Sequence, residues 1–203
     1  MTSVAVRPAR ATDALAVAAL LVEGFGHEYS GAMARPGGRR MLERIHALPG
    51  RMRGIWVAVN DEDAPVGMAG LQTGELRAVA TWGDEHIMIE ELGIWRATWF
   101  EFVADLVEPF PYQPRADEAL VYSVVVTADW RGQGVGAALL AALHTEALRL
   151  HKRRVVLQVI ATNTPAVRLY ERLGYVVSKR RRGVLAWLPF GVPSRLLMEY
   201  VLR

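Results

Sequence analysis

Glycine occupies every second position in the segment Arg131-Gly132-Gln133-Gly134-Val135-Gly136-Ala137, which follows a run of valines. A helix that begins here leaves the N–H groups of its first turn without partners and carries a partial positive charge at that end. Because glycine has no Cβ, phosphate oxygens can approach such a backbone closely. The segment predicts a pyrophosphate-binding turn, in which Arg131 either adds a charge-assisted bond or holds the loop in place.

Two other phosphate-binding motifs fit this turn poorly. A dinucleotide-binding fingerprint can be placed on Gly132, Gly134 and Ala137, but residues 154–160 lack the acidic side chain expected about 20 residues later. A P-loop needs Gly-Lys-Ser or Gly-Lys-Thr, and the turn contains neither. A helix start that binds nothing is the alternative that this segment alone leaves open.

Apolar periodicity predicts the strands and helices that position the turn. The strands are expected at residues 4–7, 55–60, 66–73, 120–127, 154–160, 175–179 and 195–201. The helices are expected at residues 13–24, 84–107, 134–150 and 164–173, with two short ones within 27–48. We expect those two short helices to meet at a joint formed by Pro36, Gly37 and Gly38, because these residues interrupt helices.

A long insertion separates the third and fourth predicted strands, at residues 74–118. Apolar side chains recur in it at spacings of three and four residues, and they are Met88, Leu92, Trp95, Trp99, Phe102 and Leu106. This spacing predicts one amphipathic helix over 84–107. Its apolar face is expected to pack on the core or on a second subunit, and acceptor binding is the alternative function.

The composition is that of one globular domain. The chain has 203 residues, of which 52% are hydrophobic and 22% charged, enough for a single packed core. It has no cysteine, which excludes disulfides and a thiolate nucleophile. It also has no apolar run near 18 residues and no signal-peptide pattern at its start, so we expect a cytoplasmic enzyme and no membrane partner.

The net charge of +3 comes mainly from two basic runs, His151 to Arg154 and Lys179 to Arg182. The first run closes a predicted helix, where cations complement the carbonyl end of the helix dipole. The second is interpreted as a solvated strand end. Neither run predicts a nucleic-acid partner, although a phosphorylated ligand can draw on either cluster.

Residues 131–136 match the Arg/Gln-x-x-Gly-x-Gly/Ala signature of the GNAT superfamily of acyl-CoA-dependent N-acyltransferases. The stretch from Leu157 to Tyr175 resembles the same family, with its strand, asparagine turn, Ala-x-x-Leu-Tyr helix and Gly-Tyr strand entry. The resemblance is specific over residues 120–177, because two separate signatures occur at the right distance. Before residue 120 only the order of strand, two helices and hairpin agrees with the family.

The resemblance implies an α/β (α+β) fold of the GNAT type over a single domain, residues 1–203. Its central sheet is expected to be mixed and largely antiparallel, flanked by helices, with the helical insertion 74–118 between the third and fourth strands. The middle strands, 120–127 and 155–160, are expected to splay apart and admit the pantetheine arm of coenzyme A. An amide-bearing arm would satisfy the backbone groups that the parting exposes.

Further residues are assigned to the coenzyme by resemblance. The backbone of Val124, Val125 and Val126 is expected to line the pantetheine arm, with Val126 or a neighbour donating an N–H to the oxyanion. Asn163 and Ala166 are expected to meet the coenzyme at the second signature. Asn163 can at the same time cap the helix that starts near Pro165.

Tyr170 is the predicted catalytic residue, since by resemblance it protonates the leaving thiolate. The chemistry is reasonable, because a phenol of pKa about 10 can donate to, or hydrogen-bond with, a thiolate whose conjugate thiol has pKa about 8.5. Simple core packing of Tyr170 is the alternative.

The acceptor half of the reaction has no comparable signature. The amine must lose a proton before it attacks, yet the predicted strand 120–127 contains no carboxylate. The acidic candidates for a general base are Glu28, Glu75, Glu90, Glu91 and Glu118, with His27 and His86 beside them. Transfer of the proton to ordered water is equally consistent with the sequence.

The sequence therefore predicts an N-acetyltransferase that passes an acetyl group from acetyl-CoA to a primary amine, directly and in a ternary complex, without a metal. The acceptor is expected to be a small molecule or a peptide. Alternatives are a longer acyl donor, an oxygen acceptor, or a module that binds acyl-CoA without turnover. A homodimer through the aromatic helix is conceivable.

Overall fold

The computed structural model describes residues 4–25, 36–74, 84–107, 112–181 and 194–202. Within these ranges, seven strands form one sheet in the order β1-β2-β3-β4-β5-β7-β6. The strands are β1 (Ala5–Pro8), β2 (Ile55–Val59), β3 (Pro65–Gln72), β4 (Glu118–Val126), β5 (Arg154–Ile160), β6 (Val176–Arg181) and β7 (Arg195–Val201). Only β4 and β5 are parallel neighbours, and every other pair is antiparallel. The predicted mixed, largely antiparallel sheet is confirmed.

Six α-helices flank the sheet in the described part of the chain. They are α1 (Ala14–Phe25), α2 (Pro36–Ala47), α3 (Glu85–Leu92), α4 (Ile94–Val107), α5 (Val135–Arg149) and α6 (Thr164–Arg172). Helices α3 and α4 lie between β3 and β4, where the helical insertion was predicted. No helix in these ranges has the length and apolar character needed to cross a membrane.

The sheet separates two apolar layers, because side chains alternate between its faces. Helix α5 buries Leu139, Leu140 and Leu143 against one face, in a cluster that includes Val155 and Leu157 of β5. Helix α1 covers the other face over β2, β3 and β4, where Val17 and Leu20 meet a second cluster. On that second face, β5, β7 and β6 lie beyond the α1 cluster.

Two expectations about helix boundaries are wrong. The predicted single helix over 84–107 is broken at Gly93, whose φ of +77° ends α3 and lets α4 begin at Ile94. The predicted joint at Pro36, Gly37 and Gly38 is instead the first turn of α2, whereas the first of the two short helices predicted within 27–48 falls outside the described residues. Proline is tolerated there because the first helical N–H groups have no partner within the helix. A Cβ on Gly37 would lie 2.4 Å from the carbonyl oxygen of Glu91, so close packing of α2 on α3 requires glycine.

Candidate functional site

The two central strands part halfway along their length. Strand β4 pairs with β5 only from Glu118 to Val121, opposite Arg154 to Leu157. Beyond that point, 122–126 continue to pair with β3, while 158–160 continue to pair with β7. The predicted splaying is therefore present, and it begins after Val121 and Leu157.

A β-bulge in β4 lies at the start of this gap. Tyr122 pairs with Gly70 and Val125 with Met68, so Ser123 and Val124 together face a single residue of β3. Ser123 has a φ of +50°, in the left-handed region. The extra residue reverses the side-chain alternation, because Val121 faces the α5 cluster whereas Val125 faces the α1 cluster. A bulge also leaves backbone groups without ladder partners, here at the mouth of the gap.

The predicted phosphate-binding turn leads from β4 into α5. Gly132 and Gly134 have φ values of +75° and +86°, and a Cβ on either would meet only open space. No side chain caps the helix, and the first helical hydrogen bond runs from the Ala138 N–H to the Gly134 carbonyl at 2.9 Å. The N–H groups of Val135, Gly136 and Ala137 precede that bond, so they are available to an anion.

The Arg131 side chain makes hydrogen bonds within the loop and to helix α1. Its Nε donates to the Val126 carbonyl at 2.9 Å, and a terminal nitrogen lies 3.1 Å from Glu23 Oε1 on α1. Gln133 supports the same loop by donating to the Asp129 carbonyl at 2.7 Å. Of the two roles left open for Arg131, these contacts correspond to loop fixation. The bond from Arg131 Nε also engages the Val126 carbonyl, which was expected to meet the pantetheine arm.

Helix α6 joins the site through close packing and a helix cap. A Cβ on Gly136 would lie 3.1 Å from Leu169 Cδ2, so the third glycine of the motif serves contact between α5 and α6. The Asn163 side chain accepts a hydrogen bond from the Ala166 N–H at 3.3 Å and caps α6. The capping role of Asn163 is thus present, and Asn163 itself is exposed at the surface.

Tyr170 lies on α6, and its side chain is buried. It belongs to the core cluster that contains Val121 and Leu157, the last paired residues before the gap. Burial raises the pKa of Tyr170 to about 12, so its hydroxyl stays protonated at neutral pH. No hydrogen bond from another described residue to that hydroxyl is found.

Sequence reasoning missed an aromatic cluster beside Tyr170. The Tyr175 ring lies 5.8 Å from that of Tyr170, and the Tyr175 hydroxyl is 2.7 Å from Nε2 of His144 on α5. The His144 ring stacks on Tyr200 of β7 at 4.4 Å. Burial lowers the pKa of His144, so the imidazole is neutral in the fold. The apolar periodicity of α5 gave no signal for His144, because its partners are distant in sequence, Tyr175 just before β6 and Tyr200 in β7.

Loss of stability at acidic pH is expected from His144. Its folded pKa is lowered below the unfolded value of about 6.5, so below that pH the unfolded chain binds a proton that the folded chain does not. The contribution of neutral His144 to the free energy of unfolding is therefore fully present above pH 6.5. It decreases as the pH falls, by at most about 1.4 kcal/mol per pH unit. His144→Phe keeps a ring against Tyr200 and should reduce the slope, measured as urea midpoints from pH 7 to pH 5.

The control for that slope is Tyr175→Phe. It removes the hydrogen bond to His144 and should lower stability by about 1 kcal/mol at every pH, while the titrating ring and the pH slope stay. Equal slopes in wild type and His144→Phe would contradict the assignment.

A pocket of about 230 Å³ opens on the sheet face opposite α5. We call it the sheet-face pocket, and its lining residues are Tyr112, Arg115, Glu118, Gln158, Ser178, Lys179, Arg181, Arg195, Leu197 and Glu199. Gln158 is the first residue of β5 beyond the last paired one, Leu157, so the pocket adjoins the gap. The predicted phosphate-binding turn at the start of α5 and the pocket on the other face therefore both adjoin the parted strands.

The predicted bases occupy different places. Glu118 lies in the sheet-face pocket, is 2% exposed, and accepts hydrogen bonds from the Tyr112 hydroxyl at 2.6 Å and the Arg115 N–H at 2.9 Å. Glu90 and Glu91 pair with Arg44 of α2, which indicates a role in packing α2 on α3.

None of the remaining candidate bases is a described residue of the sheet-face pocket. His86 is exposed and lies 2.8 Å from Glu90, whereas His27, Glu28 and Glu75 fall outside the described residues. Within the described ranges, no group of three or more metal-binding side chains is found.

Tyr122 is a second residue that sequence reasoning missed. It is the last residue of β4 before the bulge, and burial raises its pKa to about 12. A Cβ on Gly70 would lie 2.2 Å from the Tyr122 ring, so glycine in β3 makes room for it. The sequence signal that could have identified Tyr122 is the presence of a tyrosine in a valine-rich strand that was expected to splay.

Comparison with known proteins agrees with this geometry. The model of the acetyltransferase (GNAT) family matches residues 19–175. The chain belongs to the GNAT acetyltransferase family. Both signatures on which the resemblance was based lie inside the matched range, so the predicted family is confirmed. An acyltransferase is accordingly supported at the level of the family.

Curated GNAT relatives match the chain over short regions. The ribosomal protein bS18-alanine N-acetyltransferase of Escherichia coli K12 is 42% identical over 69 residues, which are 32% of this chain and 45% of that protein. The mycothiol acetyltransferase of Corynebacterium aurimucosum is 41% identical over 59 residues, 29% of this chain and 19% of that protein. The chain thus spans about half or less of the length of these relatives.

Solved GNAT structures share the fold. The structure of yncA from Salmonella typhimurium, solved with its cofactor acetyl-CoA, aligns with a TM-score of 0.62 at 16% identity, covering 100% of this chain and 95% of that one. At this identity the likeness establishes the GNAT fold, and the predicted fold class is confirmed.

Proposed function

We propose that this chain transfers an acetyl group from acetyl-CoA to a primary amine by direct attack in a ternary complex. The observation that carries the proposal is the gap between β4 and β5, which opens beside the uncapped start of α5. The same gap adjoins the core cluster that holds Tyr170. A donor bound there would have its phosphates at the start of α5, its pantetheine arm in the gap and its thioester near Tyr170.

The donor half rests on backbone groups. The pyrophosphate would accept hydrogen bonds from the N–H groups of Val135, Gly136 and Ala137, with Gly132 and Gly134 keeping the approach free of side chains. The pantetheine amides would pair with the open edge of β4 along 122–126. Asn163 and Ala166 would border the coenzyme at the start of α6.

The bulge supplies a place for the developing oxyanion. Sequence reasoning favoured the N–H of Val126 or a neighbour. The bulge favours the neighbours Ser123 and Val124, because a bulged residue lacks a ladder partner. A preorganised N–H at the gap would stabilise the tetrahedral oxyanion, which is worth about 10² to 10³ in kcat in other acyl transfers.

The bond changes then balance without a covalent enzyme intermediate. The neutral amine nitrogen attacks the thioester carbon, a C–N bond forms, and the C–S bond breaks with its electron pair leaving on sulfur. The Tyr170 hydroxyl hydrogen-bonds to that thiolate. Because its pKa of about 12 exceeds the thiol pKa of about 8.5, hydrogen bonding is favoured over full proton transfer.

The proton lost by the amine goes to solvent in this mechanism. Glu118 lines the sheet-face pocket, but its carboxylate already accepts two hydrogen bonds. Both bonds fall on Oε2 and hold the carboxylate against Tyr112 and Arg115. Ordered water at the mouth of the pocket is therefore the favoured acceptor of the proton.

The names of the relatives support an acetyl donor and an amino acceptor. The Escherichia coli relative is named for acetylation of an alanine of ribosomal protein bS18, and the Corynebacterium relative for acetylation linked to mycothiol. Both names specify acetyl rather than a longer acyl group.

Calorimetry combined with a thiol-release assay tests the proposal. Acetyl-CoA should bind with measurable heat, and free thiol should then appear with at least one amine in a broad panel. Binding without thiol release from any amine would support the acyl-CoA-binding module instead. Faster release from a longer acyl-CoA than from acetyl-CoA would support the longer donor.

A further inference from the structure

The sheet-face pocket is lined by more cations than acids. Four basic side chains line it, from Arg115, Lys179, Arg181 and Arg195, against the two carboxylates of Glu118 and Glu199. Two of the cations come from β6, an edge strand whose six residues are all exposed. The lining therefore carries a formal excess of two positive charges.

Both acids of the lining already have partners. Glu118 accepts from the Tyr112 hydroxyl and the Arg115 N–H. Glu199 lies 3.7 Å from a terminal nitrogen of Arg154, which is outside the lining. By contrast, no acidic side chain in the described ranges pairs with the Lys179 ammonium. The two carboxylates of the lining are thus already engaged, and neither of them pairs with Lys179.

Such a lining acts on an acceptor in two ways. It attracts an anionic group, and it disfavours the protonated form of an amine held close to it. The second effect lowers the pKa of the amine and favours the neutral nucleophile, which a site without a free carboxylate base needs. The first effect supplies binding energy that a simple ammonium would lack.

We propose that the acceptor is an amine that also carries an anionic group, with that group seated against Lys179 and its basic neighbours and the amine directed to the gap. This inference rests on the proposed function. The volume of about 230 Å³ is below the range of roughly 300 to 1,000 Å³ for sites of drug-sized ligands, and it suits a group the size of an amino acid.

Matched acceptor pairs test the charge requirement. Amino acids are compared with their carboxamides, and phosphoethanolamine with ethanolamine, by thiol release from acetyl-CoA. The anionic member of a pair should have a kcat/KM higher by about tenfold, through a lower KM. The two sets distinguish a carboxylate from a phosphate as the anion.

Two charge reversals on neighbouring residues locate the effect. Lys179→Glu should remove or reverse the preference for the anionic acceptor. Arg180→Glu makes the same charge change on the next residue of β6, which lies outside the lining, and should keep the preference. Acetyl-CoA binding heat reports that both variants are folded.

Three results would overturn the inference. Equal or higher kcat/KM for the neutral acceptors would show that the acceptor needs no anionic group. An equal effect of Lys179→Glu and Arg180→Glu would show that the preference does not arise in the sheet-face pocket. Both of these leave the proposed acetyl transfer standing. Absence of thiol release from every amine in the wild type would instead overturn the proposed function, and the inference with it.

Discussion

Gly134→Glu is expected to weaken acetyl-CoA binding by about tenfold to a hundredfold, which corresponds to about 1.4 to 2.7 kcal/mol. Gly134 begins α5 with a φ of +86°, and no side chain caps the helix there. A glutamate at this position places a carboxylate where the pyrophosphate would accept hydrogen bonds from the N–H groups. The two anions then compete for one positive helix end. Isothermal titration of acetyl-CoA measures the change.

Gly93→Glu is the matched control for this substitution. Gly93 has a φ of +77°, and like Gly134 it has open space where a Cβ would stand. Both substitutions therefore add the same charge and strain the backbone, by roughly 1 to 2 kcal/mol at Gly134 in the left-handed region and by roughly 1 to 3 kcal/mol at Gly93, whose ψ of 152° lies outside that region. Gly93 joins α3 to α4, away from the turn, so its variant should bind acetyl-CoA like the wild type.

If both variants bind with unchanged affinity, the turn is not the phosphate site and the proposed donor position is wrong. If both lose affinity together with thermal stability, the effect is one of folding. The proposal requires loss in Gly134→Glu alone.

The geometry of the turn and helix cap proposed to bind the coenzyme could be predicted because its signals are local. A positive φ at Gly134, a cap at Asn163 and a close helix contact at Gly136 each depend on residues nearby in the sequence or on one neighbouring helix. Local requirements of this kind restrict residue type strongly. The turn and the second signature could therefore be identified before the structure.

The helical insertion shows where periodicity alone fails. A spacing of three and four residues is kept across Gly93, so the apolar pattern predicted one helix although the backbone turns there. The turn at Gly93 follows from backbone conformation, which hydrophobic spacing does not record. Trp95 is 87% exposed and Trp99 48% exposed, so the expected core face of this segment is largely uncovered among the described residues.

The pocket proposed for the acceptor could not be predicted because its residues are distant in sequence. The sheet-face pocket combines the segment before β4 with β5, β6 and β7, and its charge balance depends on which face each strand presents. A bulge or a shift of one residue reverses that face, as Ser123 does in β4 and as the irregularity between Val177 and Lys179 does in β6. The basic run at Lys179 was interpreted as a solvated strand end, and its described residues are exposed, with Lys179 and Arg181 in the lining of the pocket and Arg180 outside it.

Tyr170→Phe is expected to lower kcat by about 10²-fold or more, with little change in acetyl-CoA affinity, since removing one hydrogen-bond donor to a developing anion typically costs that much. The substitution removes only a hydroxyl that no other described residue holds, so the ring still fills the core. Because burial raises the pKa of Tyr170 to about 12, the hydroxyl is a donor throughout the usual assay range. The loss of kcat should therefore be similar from pH 7 to pH 9, as measured by thiol release at saturating acetyl-CoA.

Tyr175→Phe provides the comparison that separates chemistry from packing. It removes an equally buried hydroxyl from a ring 5.8 Å away, but one that is already bonded to His144. Its cost should appear as stability, about 1 kcal/mol, because a protein hydrogen bond is lost, while kcat stays near the wild-type value. Equal losses of kcat in the two variants would show that the aromatic cluster acts by packing alone. A full-rate Tyr170→Phe enzyme would mean that the thiolate leaves unaided, as its pKa of about 8.5 permits, and that Tyr170 is a core residue.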